Sequence, residues 1–161
     1  MNSGDTLYTN DTVAKVFATQ PHADIYYGET EVYSDDWKKL GIRRHQTPEH
    51  FTWRGFKYGM NIGHQAIYIK RSLTQPYDLS YQLSSDIDWI IRAAKKANTI
   101  VNTHQLVAKF REGGLSKKKH FRSLKERFWI FAKHYGFIPT LLNHLVIGLR
   151  RGLNLIGYKQ N

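Results

Sequence analysis

Two carboxylates stand two residues apart in Ser84-Ser85-Asp86-Ile87-Asp88-Trp89-Ile90-Ile91-Arg92, where a polar turn runs into an apolar stretch. A carboxylate within hydrogen-bond reach of a hydroxyl can take its proton, so Asp86 is a candidate general base at the mouth of a pocket. The same pattern also suits a purely structural helix start. Ser84 or Ser85 would cap the helix, and both aspartates would lie in its first turn, where the dipole favours anions. Upstream, Gly63-His64-Gln65 sets an imidazole and an amide between a glycine and a strand. His64 reads either as a buried histidine bonded to backbone or as a hydrogen-bonding group aimed into a cleft. Gly113-Gly114-Leu115-Ser116, followed by three lysines and His120, is a turn with a cationic edge. It suits either closure over a phosphate or a simple hinge. The other seven histidines show no H-x-x-x-H spacing, so a zinc site is not expected.

These groups need a scaffold, and the apolar pattern supplies one. Asn10-Asp11 can start a short helix through Val13, Val16 and Phe17 that Pro21 stops. Asp24-Ile25-Tyr26-Tyr27-Gly28 reads as a buried strand continuing through Val32 and Tyr33, with a turn at Ser34-Asp35-Asp36-Trp37. A second strand is expected at Gly41-Ile42-Arg43-Arg44, and a short helix from Pro48 through Phe51, Trp53 and Phe56. The second half of 59–70 alternates as a strand. The acidic helix follows, with Trp89, Ile90, Ala93 and Ala94 towards the core and Arg92, Lys95 and Lys96 carrying charge. Thr99-Ile100-Val101 and Leu106–Phe110 predict two further short strands. Mixed strands and helices without strict alternation point to an α/β class with a mixed sheet.

From residue 117 the character changes. Phe121, Leu124, Phe128, Phe131 and Tyr135 recur at helical spacing opposite Arg122, Lys125, Arg127 and Lys133. A second helix carries Leu141, Leu142, Leu145, Val146, Leu149 and Leu153. Residues 1–116 hold 14 basic and 12 acidic side chains, whereas 117–161 hold 10 basic and one acidic, so the net charge of +11 sits mostly in the tail. A near-neutral body with a basic amphipathic tail suggests a surface anchor more than a nucleic-acid binder. The tail reads as lying in an anionic membrane interface, with Trp129 at the boundary, or as packing on the sheet domain. With no cysteine, disulfides, thiolate metal sites and cysteine nucleophiles are excluded. No apolar run approaches the roughly 20 residues that span a bilayer.

In this order the motifs resemble the C-terminal half of family 2 glycosyltransferases of GT-A fold, of the bacterial surface-polysaccharide type. Met1-Asn2-Ser3-Gly4-Asp5 is similar to the family's acidic turn, and Asp24–Gly28 to the strand one helix later. Gly63-His64-Gln65-Ala66 through Arg71 resembles the segment under the acceptor site. Ser85–Trp89 with Arg92 resembles the acidic motif heading the acceptor-side helix. The resemblance implies a GT-A nucleotide-diphospho-sugar transferase fold over 1–116, followed by basic helices over 117–161. It implies an inverting transfer from a nucleotide-sugar donor to a glycan or lipid-linked acceptor, with Asp86 as base. His64, Gln65 and Asp88 would bind acceptor, and Asn2, Gly114, Ser116 and Lys117 the donor diphosphate. Asp5 would ligate Mg²⁺ or Mn²⁺, although Asn2 and Gly4 stand where the family carries acidic residues.

The same comparison places the family's donor-binding half upstream of Met1. A cytoplasmic chain peripheral to the inner face of the membrane is expected, and no nucleic-acid partner. Two other readings stand beside it: a non-catalytic remnant acting as a membrane-associated interaction protein, and a basic nucleic-acid-binding module.

Overall fold

A computed structural model describes residues 4–43, 47–59, 62–113 and 119–157, with side chains as far as Leu149. The elements run β1 (Thr6–Leu7), α1 (Thr12–Thr19), β2 (Ile25–Tyr33), β3 (Lys39–Ile42), β4 (Ile67–Ile69), α2 (Ser85–Ala94), β5 (Ile100–Arg111), α3 (His120–Tyr135) and α4 (Phe137–Gly157). Short 3-10 turns cover Trp53–Tyr58, His64–Ala66 and Arg71–Leu73. The fold is α/β with a mixed, open sheet.

Strand order is β1-β5-β2-β3. β2 and β5 are parallel, and β1, β3 and β4 pair antiparallel to their neighbours. Because β5 takes one whole edge of β2, β3 and β4 share the other. β4 pairs with residues 25–27 and β3 with residues 31–33, leaving Gly28–Thr30 between them. That gap is bridged by single bonds: Thr47 Oγ1 donates to the Gly28 carbonyl, and the Arg43 amide to the Thr30 carbonyl.

The two short strands expected at 99–101 and 106–110 are one strand. Polar Asn102-Thr103-His104-Gln105 reads as an interruption in sequence. The chain instead absorbs it as an irregularity, with His104 at φ 53° and register shifts opposite Gly28 and Glu29. Gly28 is what allows the close approach. A Cβ there would lie 2.6 Å from the Gln105 carbonyl oxygen and 2.7 Å from Thr103 Oγ1.

Alternation along β2 divides the core between two faces. Ile25 and Tyr27 join Phe51, Phe56, Ile62, Ile87, Ile90, Ile91, Ile130 and Phe131 on one side, while Tyr26 joins Val16, Ala66, Val107 and Ala108 on the other. Tyr27 also pins the excursion between β3 and β4, donating to the Glu49 carbonyl and accepting from the Phe51 amide. The helix expected from Pro48 is the 3-10 segment Trp53–Tyr58, anchored by Phe56.

Helix α2 buries Ile87, Asp88, Ile90, Ile91, Ala93 and Ala94. Trp89, expected in the core, stands at its flank and stacks on Tyr77 with ring centroids 5.4 Å apart. Ser84 holds the capping position without a side-chain cap bond; its hydroxyl lies 3.3 Å from Ser123 Oγ, where α2 and α3 meet.

Ile130 and Phe131 belong to the same core as the sheet, so α3 packs on the domain. Its inward stripe differs from the expected one. Ser123, Ile130 and Phe131 are buried, whereas Phe121 is 87% exposed. Phe128 bridges to α4 through Phe137 and His144, at centroid distances of 5.6 and 5.2 Å. Among the described residues, no helix is long and apolar enough to cross a membrane.

Candidate active site

Parallel strands β2 and β5 direct their carboxyl ends towards one rim of the sheet, where ligands of open α/β folds collect. Four of the residues singled out by sequence come together at this rim. β1 runs antiparallel to β5, and Asp5, just before it, lies beside Arg111, whose amide donates to Asp5 Oδ1 at 3.2 Å. The turn before β4 swings Gln65 inward, and its Nε2 donates to Asp5 Oδ2 at 3.0 Å. Next to it, His64 Nδ1 lies 3.1 Å from Asp86 Oδ2 in the first turn of α2. Both side chains remain 25% exposed, so the pair is held by protein yet open to a ligand.

Asp88 plays a different part from the acceptor contact expected of it. Its side chain is fully buried, and both oxygens are engaged. Arg92 Nε donates to Oδ2 at 2.7 Å, while His134 Nε2 and Lys133 Nζ approach Oδ1 at 2.8 and 3.4 Å. Lys95 Nζ donates to His134 Nδ1 at 3.0 Å, which leaves the ring proton on Nε2, facing Asp88. Burial raises the Asp88 carboxyl, but the bonds from His134 and Arg92 and the Lys133 charge outweigh it and hold it below the usual carboxylate range. For His134, burial prevails over Asp88 and lowers the imidazole. Arg92 extends the network, donating to Gln75 Oε1 and the Pro76 carbonyl. Asp88 therefore fixes the seat of α2, and with it the direction of Asp86 one turn edge away.

Three residues that sequence reasoning did not single out have buried polar atoms in the same domain. Thr30 on β2 is 3% exposed, and its hydroxyl has no hydrogen-bond partner. Arg127 lies on the inward side of α3, four residues after Ser123; its Nε is buried without a hydrogen-bond partner. Arg43 follows β3, and its guanidinium, Thr30 Oγ1 and Gln65 Oε1 all lie within 4 Å of the point where a Gly63 side chain would begin. Burial, then the neighbouring Arg127 charge, push the Arg43 guanidinium below its ordinary value, against the pull of Glu29. Burial likewise lowers Arg127, opposed by Asp86. The one signal in sequence was the spacing of Arg127 from Ser123, Ile130 and Phe131, which sets it on the buried stripe and not on the solvated face.

Asn2, Gly114, Ser116 and Lys117, expected at a donor diphosphate, lie outside the described residues. The divalent cation implied by the resemblance needs oxygen ligands turned towards it. Asp5 already accepts one bond at each oxygen, and the Arg111 guanidinium lies against Gly4 beside it. Among the described residues, no group of three or more His, Asp or Glu is placed to share an ion. No step below passes through such an ion. No protein-family model matches the chain, and no curated protein matches it.

Proposed function

We propose that the chain serves in glycosyl transfer from a nucleotide-sugar donor, with Asp86 as the general base. The observation that supports this most is the half-open His64–Asp86 pair at the carboxyl ends of the parallel strands. An acceptor hydroxyl placed against Asp86 would pass its proton to the carboxylate as its oxygen attacks the anomeric carbon. The bond to the leaving diphosphate breaks from the opposite side, and configuration inverts. His64, with a proton on Nδ1, fixes the rotamer of Asp86 and leaves one carboxylate oxygen free for the acceptor. Gln65 and Asp5 brace the turn that carries His64.

The test is transfer from a panel of radiolabelled nucleotide sugars to membrane-extracted lipid-linked acceptors, by the wild-type chain and by Asp86→Asn. Loss of transfer by at least a hundredfold with an unchanged melting temperature is expected. Equal turnover by the variant would remove Asp86 as base.

A second reading, membrane association, is supported by helix α4. Ile138, Leu142, Leu145 and Leu149 are 70, 57, 56 and 67% exposed along one side, and Arg150-Arg151 follow in sequence. Such a face suits an anionic bilayer surface. It is compatible with transfer to a lipid-linked acceptor at the cytoplasmic face.

A further inference from the structure

We infer that a second small-molecule site lies at the amino end of β2 and takes a flat aromatic ring carrying an anionic group, as in a nucleoside monophosphate or a hydroxylated aromatic acid. The site is a cavity of about 630 Å³ between the end of α1, the start of β2 and the end of β4. It stands at the opposite end of β2 from the His64–Asp86 pair. Its strand residues are Tyr26, Tyr68 and Ile69, whereas Gly63, next to His64, lies against Thr30.

A cavity of that size falls in the range of small-molecule sites, and its walls are fixed without a ligand. Tyr26 Oη donates to the Gln20 carbonyl at 2.5 Å and accepts from the Ala23 amide at 3.0 Å, tying down the Pro21-His22 turn between them. That turn holds His22 at φ 61°, a left-handed conformation uncommon for a residue with a side chain. On the other side, the Lys70 amide donates to the Asp24 carbonyl at 2.9 Å and secures the end of β4. Walls set in advance lose little entropy when a ligand enters. The lining chemistry names the ligand's body. Phe17 packs edge-on against Tyr26 and Tyr68, with centroids 5.1 and 5.9 Å apart, yet stays 47% exposed. Aromatic rings associate edge-to-face or offset, so a flat ring would extend this cluster and cover the part of Phe17 left in water. Tyr68 carries a buried hydroxyl with no hydrogen-bond partner among the described residues. Such groups recur where a ligand completes the bonding, and a polar atom on the ring would do so. The charge names the rest. Lys70 and Arg71 line the cavity, and among the described residues no Asp or Glu does. Asp24, the carboxylate next to it, is already committed: the Asn98 and Thr99 amides donate to Oδ2, and Lys70 Nζ lies 3.3 Å from Oδ1. The Arg71 side chain forms no ion pair among the described residues. A guanidinium beside an aromatic wall suits a carboxylate or phosphate, which its planar fork can meet in pairs.

Calorimetric titration of the full chain with adenosine monophosphate and, separately, with 4-hydroxybenzoate tests this. Saturable binding of at least one probe is expected, and the tighter of the two assigns the source, nucleotide or aromatic acid. Phe17→Ala and Arg71→Gln should each weaken it about fivefold, and Tyr68→Phe, which removes only the hydroxyl, about threefold. Phe17 and Arg71 both reach solvent, so these two variants should melt with the wild type. Adenosine and phenol keep the ring and lack the anion; each should bind about fivefold more weakly than its anionic counterpart. Asp86→Asn should leave both affinities unchanged, because that carboxylate lies at the other end of β2. Saturable binding of neither probe, or binding indifferent to both Phe17→Ala and Arg71→Gln, would overturn the site. Equal affinity for the uncharged analogues, or loss of binding in Asp86→Asn, would overturn it as well.

Discussion

His134 of α3 and Asp88 of α2 meet at 2.8 Å across the helix crossing, and this bond joins the last helix of the core to the helix that presents Asp86. Lys133 reaches the same carboxylate, and Arg92 holds its other oxygen. A fully buried carboxylate so surrounded keeps its charge only because all three partners stay in place.

Asp88→Asn should therefore destabilise the fold by about 3 kcal/mol, since it leaves Arg92 and Lys133 without their shared counter-charge. Urea denaturation monitored by Trp89 and Trp53 fluorescence measures this. A loss under about 0.5 kcal/mol, the size of a surface change, would show that the network does not hold α2.

The same cluster sets an acid sensitivity. His134 is lowered, so the unfolded chain binds its proton first; its contribution is complete above about pH 6.5 and is lost as pH falls below that. Asp88 is also lowered, so its contribution is present above about pH 3.9 and disappears as pH falls through the still lower folded value. Melting temperature should decline in two stages on acidification, and His134→Gln should flatten the first. An unchanged profile in that variant would exclude His134 as the group that titrates.

Gly28→Ala should cost about 2 kcal/mol or more. Its methyl group would strike the Gln105 carbonyl, 2.6 Å away, and neither strand can yield without shifting the β2–β5 register. Thermal melting of the variant is the measurement; a wild-type midpoint would mean that the two strands separate there at little cost.

If the exposed side of α4 lies in a bilayer, removing two leucines from it should release the chain. Leu142→Ser with Leu145→Ser should weaken co-sedimentation with phosphatidylserine-containing vesicles by tenfold or more, at about 1.5–3 kcal/mol per buried leucine. Vesicle binding by neither wild type nor variant at low salt would leave this face to another partner.

The residues that carry recognisable chemistry were legible where the pattern is local. Asp86, His64, Gln65 and Asp5 each stood out by type and neighbours, and the sheet rim gathers all four. The burial of Asp88 was not legible, because it is set by Lys133 and His134, whose approach depends on how α3 crosses α2. Arg127 was read as solvated because its charge outweighed the one sign of burial, its spacing from Ser123, Ile130 and Phe131. Thr30 was invisible for a similar reason: a threonine in a strand is ordinary, and only the gap between β3 and β4 with Gly63 above it makes its hydroxyl unusual. Likewise, the polar run 102–105 hid the continuity of β5, which parallel pairing with β2 enforces despite the irregularity.

Asp88 also governs the order in which the protein can mature. Ribosomal synthesis delivers α2 before β5, and α3 later still, so Asp88 emerges ahead of the lysine and histidine that will neutralise it. Until they arrive, α2 lacks the partners of its buried carboxylate. A product that stops before α3 would expose the apolar side of Ile87, Ile90 and Ile91, a surface that chaperones and proteases recognise. Completion of the chain thus acts as a checkpoint: only a polypeptide carried through Lys133 and His134 can seat α2, and with it Asp86, as the folded protein does.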